Sequence, residues 1–157
     1  MQPRTHKPTL AVHKFSSCDG CQLALLNLGP DLLRLAELVD IVHFAEAGPV
    51  DEEASADIAL VEGSISTAEE AARIRHVRER SRYLVAIGAC ATAGGLQALR
   101  NVHDVGAWAA AVYASPEHVS ALDTATPISG HVRVDLDLRG CPVNSPQLLA
   151  AVRALLS

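Results

Sequence analysis

The chain is poor in aromatic side chains, with one Trp, two Tyr and two Phe in 157 residues. It also lacks an excess of positive charge: 13 Lys and Arg stand against 18 Asp and Glu, a formal charge of −5. A nucleic-acid binder needs a basic face or stacking rings, so that class is excluded. No window reaches the ~18 consecutive apolar residues of a membrane helix, and no membrane span is expected. The polar stretch from Met1 to Pro8 has neither an apolar signal core nor a twin-arginine pair. The chain therefore reads as soluble and cytoplasmic. Cysteine is scarce as well. Four residues are far too few for a disulfide-stapled secreted scaffold, and a reducing compartment keeps such thiols unpaired. Their role is the question the composition leaves.

What is present is ordinary globular material, 49% hydrophobic and 20% charged, at a length that suits one domain over residues 1–157. Apolar runs alternate with helical patterns. Strands are expected at Thr9–Lys14, Val39–Ala45, Asp57–Val61, Tyr83–Ile87 and Val132–Leu138, the last alternating and so an edge. Helices are expected at Cys21–Leu28 and from Pro30 to Leu38. Another starts at Ser66 or Thr67, with Glu69 and Glu70 placed for a capping box. Short helices fill Leu96–Tyr113 and part of Pro116–Asp123. A final helix is capped by Asn144 or Ser145, has Pro146 in its first turn, and lines Leu148, Leu149, Val152, Leu155 and Leu156 along one face. Such alternation implies an α/β fold, a flavodoxin-like open parallel sheet with helices on both faces.

Ligands of such sheets gather beyond the carboxyl ends of the strands. Cys18 and Cys21 follow the first strand, Cys90 the fourth and Cys141 the fifth, so topology brings all four to one rim. Four thiolates are the ligand count of a [4Fe–4S] cluster or of a closed zinc site. Cys21 opens a helix, where N–H groups favour negative charge, and Pro142 stiffens the turn after Cys141. Two other readings stay open on residues alone. The Cys18-Asp19-Gly20-Cys21 pair could be a thiol–disulfide redox motif, with Cys90 and Cys141 as core thiols. A structural zinc site usually pairs two C-x-x-C knuckles, and a second knuckle is missing.

Other residues carry less. Glu62, on the same rim, reads as a second-shell or proton-handling carboxylate, or equally as a cap on local N–H groups. The glycine-rich Gly88–Gly95 loop lacks the Lys-Ser/Thr of a phosphate-binding loop. Phe15 is the only aromatic near the first rim loop, a thin platform for a flavin. The histidines read as solvated or locally bonded residues, the Arg73–Arg82 run as a solvated helix face, and Trp108 with Tyr113 as core or interface packing.

Four blocks, in order, resemble the small subunit of soluble cytoplasmic [NiFe] hydrogenases of the NAD(P)-linked or sulfhydrogenase delta type. They are Phe15–Leu26 around Cys18 and Cys21, Val61–Ser66 around Glu62, Ala86–Thr92 around Cys90, and Arg139–Pro142 around Cys141. The resemblance implies that Cys18, Cys21, Cys90 and Cys141 ligate the iron of one proximal [4Fe–4S] cluster. It implies a nickel–iron centre held only in a partner large subunit, with no catalytic residue here beyond the second-shell Glu62. It also implies a diaphorase or other iron–sulfur or flavin subunit as electron partner. No fifth cysteine follows the last helix, so the C-terminal extension that carries further clusters in many small subunits is not expected. The quinone-reductase-like iron–sulfur subunit of respiratory complex I shares the Gly-Cys-Pro block. It uses adjacent cysteines in place of the first pair, whereas Cys18 and Cys21 are separated by Asp19 and Gly20.

Overall fold

The computed structural model describes residues 7–157; the start of the polar N-terminal stretch lies outside the described residues. Strands β1 (Thr9–Lys14), β2 (Asp40–Phe44), β3 (Ala56–Glu62), β4 (Ser81–Ile87) and β5 (Leu136–Leu138) form one sheet in the order β2-β1-β3-β4-β5. All four pairings are parallel. This is the flavodoxin-like order, with its topological switch between β1 and β3.

The central strands alternate residues between two cores because successive side chains leave a strand on opposite faces. Ile58, Leu60, Val85 and Ile87 face helices α1 (Gly20–Leu26), α2 (Pro30–Leu38) and α6 (Ser145–Leu156), through Leu25, Leu35 and Leu148. Ala59, Val61, Leu84 and Ala86 face the other way, onto Ile74 and Val77 of α3 (Ala68–Glu79) and Ala91 of α4 (Gly88–Ala93). Both cores thus share one sheet. Thr67 caps α3 in a reciprocal box with Glu70, and the Asn144 side chain accepts from Gln147 N–H to start α6.

Two expectations are corrected and two are refined. The edge strand is three residues, not seven, because Val132 and Val134 turn into the α3-side core and Asp135 takes over the pairing. Its carboxylate accepts from Leu84 N–H at 2.8 Å and from Arg78 Nη1 at 2.5 Å. The Gly88–Gly95 stretch is not a loop: Gly88–Ala93 is helix α4, whose first turn carries Cys90. The Arg73–Arg82 run stays at the surface, but three of its arginines are engaged there. Arg73 lies over the Phe15 ring at 4.0 Å, Arg78 pairs with Asp135, and Arg80 with Glu53 at 2.8 Å. His13 and His43 are both buried, stacked with ring centroids 4.5 Å apart.

Between β4 and β5, the stretch from Leu96 to Val112 lies outside both cores. It holds a 3-10 turn at Leu96–Val102 and helix α5 (Val105–Val112), and neither contributes a buried residue. Trp108 stacks on His103 and stays 45% exposed, outside the core.

Candidate thiol-lined site at the carboxyl rim

The loops after β1 and β3 are clasped before the first cysteine arrives. Ser16 and Ser64 exchange backbone hydrogen bonds of 3.1 and 2.9 Å, and Phe15 N–H donates to the Glu62 carbonyl at 2.7 Å. Glu70 adds a side-chain knot: its carboxylate accepts from Ser16 Oγ at 2.9 Å, from Ser66 N–H at 2.8 Å and from Thr67 N–H at 3.2 Å. The Cys18–Cys21 turn is braced next. Asp19, in the left-handed region at φ 65°, accepts from Lys14 Nζ at 2.7 Å and from Gln22 Nε2 at 3.2 Å. That ion pair raises the Lys14 pKa above its ordinary value.

Glu62 caps local N–H groups next to the thiols. The side chain is 2% exposed, and its two carboxylate oxygens accept from Cys21 N–H at 3.1 Å and Gln22 N–H at 3.2 Å. It thereby satisfies donors that the start of α1 would otherwise leave orphaned. Phe15 is buried in the α3-side core beneath Arg73, so it offers no free face to a flavin.

The four thiols arrive from three strand ends. Cys18, Cys90 and Cys141 line one cavity of about 440 Å³ with Ser17, Ala89, Gly95, Leu96 and Gln97. Cys18 and Cys141 are exposed and Cys90 is half-buried. Cys21 is buried beside them and accepts from Val143 N–H at 3.4 Å. Burial pushes the Cys21 thiol up to about 11, partly offset by that N–H, with Glu62, Cys90 and Cys141 adding to the rise. Burial raises the Cys90 thiol too, against a hydrogen bond to Gln97 and with Cys18, Cys141 and Glu62 contributing. Cys21 thus feels Cys90 and Cys141, and Cys90 feels Cys18 and Cys141, across the site. Without a cation these groups hold their protons, and binding as thiolates requires releasing them.

The backbone is drawn up against the sulfurs. A Cβ at Gly88, whose φ is +83°, would stand far inside the 3.0 Å that real Cβ contacts keep from Cys21 Sγ. A Cβ at Gly95 would lie 2.6 Å from Cys90 Sγ. Only glycine fits either place. Among the described residues, no three His, Cys, Asp or Glu side chains close tightly enough to hold a single metal ion. The thiols stand around a space instead. A zinc ion draws four sulfurs to about 2.3 Å from one point, whereas a four-iron cluster is a larger body held by the same donor set. The donor chemistry and the glycine cradle fit a group of the second kind.

Sequence reasoning found the four thiols and Glu62 but missed three supports: Gln97, the Glu70–Ser16 knot and Val143 N–H. Glu70 carried a signal, since a capping-box glutamate has a free carboxylate edge. Gln97, seven residues past Cys90, carried none.

A flavodoxin-like sheet with a thiol-lined rim defines a class of redox-protein domain, and comparison narrows it. The family described as "NADH ubiquinone oxidoreductase, 20 Kd subunit" matches residues 18–155. The chain belongs to that family. It is 33% identical to sulfhydrogenase 2 subunit delta of Pyrococcus furiosus over 88% of this chain and 58% of that protein. It is 33% identical to NAD-reducing hydrogenase HoxS subunit delta of Cupriavidus necator over 65% of this chain and 49% of that protein. The chain thus spans about half the length of these curated relatives. A chain in the crystal structure of an NAD+-reducing [NiFe]-hydrogenase in the H2-reduced state superposes with a TM-score of 0.88 at 32% identity, covering 96% of this chain and 92% of that one. The [NiFeSe] hydrogenase of Desulfomicrobium baculatum shares the fold at a TM-score of 0.66 and 16% identity.

Proposed function

We propose that this chain is the electron-transfer subunit of a [NiFe] hydrogenase, acting as one flavodoxin-like unit whose Cys18, Cys21, Cys90 and Cys141 ligate a proximal [4Fe–4S] cluster. When bound, such a cluster supplies one-electron transfer between the nickel–iron site of a large subunit and an NAD(P)-linked partner module. The observation that carries this reading is the convergence of four thiols from three strand ends on one glycine-walled rim. Hydrogenase relatives that align over most of the chain support the assignment of the larger enzyme.

The chain's own residues do the holding. Glu62 and the Val143 N–H fix Cys21, Asp19 with Lys14 fixes the turn between Cys18 and Cys21, and α4 presents Cys90. The separation of Cys18 from Cys21 favours the hydrogenase side of the family over the quinone-reductase side. Among the described residues no helix is long and apolar enough to cross a membrane, consistent with action in the cytoplasm.

Beside the cavity, Leu96 and Gln97 lead into a second hollow of about 340 Å³ walled by Leu99, Val105, Trp108, Val112 and Tyr113. An apolar wall of this kind wants a protein cover. We assign it to the large subunit, which must approach the thiols for electrons to cross.

Anaerobic purification followed by iron, sulfide and zinc analysis tests the reading. About four iron and four sulfide per chain are expected from the four-thiolate ligand set, with Cys90→Ser and Cys141→Ser each losing them. Stoichiometric zinc, or metal-free protein with a titratable disulfide between Cys18 and Cys21, overturns it.

A further inference from the structure

Cys18 is exposed, so packing of its own does not fix it. The ion pair of Lys14 with Asp19 braces the turn that follows. Both side chains are partly in solvent, 43% and 29% exposed, and a screened pair of that kind holds little. The segment ahead of Cys18, from Lys14 to Ser16, is gripped differently, and the grip comes from α3.

Two side chains of α3 reach that segment. The Glu70 carboxylate accepts from Ser16 Oγ at 2.9 Å, across 54 residues of sequence. Arg73 Nη2 donates to the Lys14 carbonyl, across 59 residues, and its guanidinium lies 4.0 Å from the centroid of the buried Phe15 ring. Glu70 and Arg73 stand three residues apart, so they share one face of the helix. Their polarity matches what they meet: an acceptor for a hydroxyl, a donor for a carbonyl. The Ser16 backbone is already paired with Ser64, which leaves the hydroxyl as its handle. The β1–β2 pairing ends at Val12, and Arg73 takes the Lys14 carbonyl that lies beyond it. Hydrogen bonds to charged groups are worth more than neutral ones, so this grip outweighs the exposed pair on the other side of Cys18.

We propose that Glu70 and Arg73 are positioning residues, a two-point clamp by which α3 holds the Lys14–Ser16 segment and so fixes where Cys18 meets the bound group. The clamp rests on the cluster reading above, and the experiment separates the two.

The loaded chain in its hydrogenase complex is compared with variants by iron and sulfide analysis, and by the anaerobic rate at which a ferrous chelator draws iron from it. Ser16→Ala cuts one point and leaves the cap of α3 whole. Arg73→Met cuts the other and keeps an apolar stem over Phe15. Each should release iron about tenfold faster, the worth of one hydrogen bond to a charged group. Glu70→Gln should stay within about twofold of wild type, because its oxygen still accepts from Ser66 and Thr67 N–H and its Nε2 can donate to the Ser16 hydroxyl. Arg80→Ala loosens the far end of α3, where Arg80 pairs with Glu53, and should release at the wild-type rate. A variant that folds by circular dichroism yet holds no iron, beside a loaded wild type, supports the clamp. A wild-type rate in either Ser16→Ala or Arg73→Met overturns it, as does an equal acceleration in Arg80→Ala or in Glu70→Gln. A wild-type chain without iron and sulfide overturns the cluster reading instead.

Discussion

The two sides of the carboxyl rim are built on opposite principles. On the β1–β3 side, polar groups are tied within the chain: Ser16 to Ser64, Glu70 to three donors, Glu62 to two buried N–H groups. On the far side, residues 96–121 show Leu96, Val102 and Val112 to solvent, each more than 70% exposed. Few ties hold that segment down. Asn101 exchanges hydrogen bonds with Ala125 at 2.7 and 2.8 Å, and Arg100 donates to the Leu122 carbonyl at 3.3 Å. One side is finished by its own hydrogen bonds, and the other is the face that the proposed function leaves for the large subunit to finish. A site that exchanges electrons across an interface needs both: ligands held rigidly from behind and a surface in front that another body completes.

The contrast breaks most sharply at Gly88. Gly88→Val would drive a branched side chain into Cys21 Sγ on the self-sufficient side, where nothing can yield. Iron content should fall to near zero, and the apo chain should be destabilised by about 3 kcal/mol as overpacking and a positive φ combine. Wild-type loading would show that side to be soft.

Glu62→Ala is expected to have the next largest effect. It orphans the buried Cys21 and Gln22 N–H groups, and chemical denaturation should show a loss of about 2–4 kcal/mol. Glu62→Gln, which keeps one acceptor, should lose less.

On the same side, His13 ties stability to pH. Burial first, then the charges of His43 and Arg73, lower its pKa from 6.5 to about 3. Between those values the unfolded chain binds a proton that the folded chain refuses, so stability falls as pH drops below 6.5 and keeps falling to about 3. The slope from this one group approaches ~1.4 kcal/mol per pH unit. His13→Phe should flatten it in denaturation curves taken across that window, and an unchanged slope assigns the acid sensitivity elsewhere.

The smallest effect on the isolated chain belongs to the apolar side. Val112→Glu should move its unfolding free energy by no more than ~0.5 kcal/mol. Co-purification with the large subunit should nevertheless drop severalfold. A large stability change with intact assembly would reverse the contrast.

Much of this was legible in the residues. The parallel sheet follows from alternating elements, and the convergence of the thiols follows from strand ends, because parallel topology sends every β-to-helix loop to one rim. The failures have specific causes. Gly88 and Gly94 make the Cys90 stretch look like a loop, yet Gly88 opens α4 and Gly94 closes it in the left-handed conformation. The alternation of Val132–Leu138 is genuine, but at Asp135 the backbone N–H pairs with the Leu84 carbonyl while the side chain, not the backbone, accepts from Leu84 N–H, which no periodicity records. Arg78 and Arg80 look like a solvent face until the partners 57 and 27 residues away in sequence are known. Long-range side-chain pairing is what local pattern does not encode.

The edge strand has a further consequence for how the chain is made. Cys141 lies three residues beyond β5, the last and shortest strand, and β5 pairs only with β4. During synthesis β1 to β4 can assemble while β5 is still inside the ribosome, with three of the four thiols already in place. A group gripped by all four must wait until translation has passed Cys141 and the final strand has docked. Occupancy of the rim would then report that translation has passed Cys141, and a chain cut short of it could pair most of its sheet yet never hold the group.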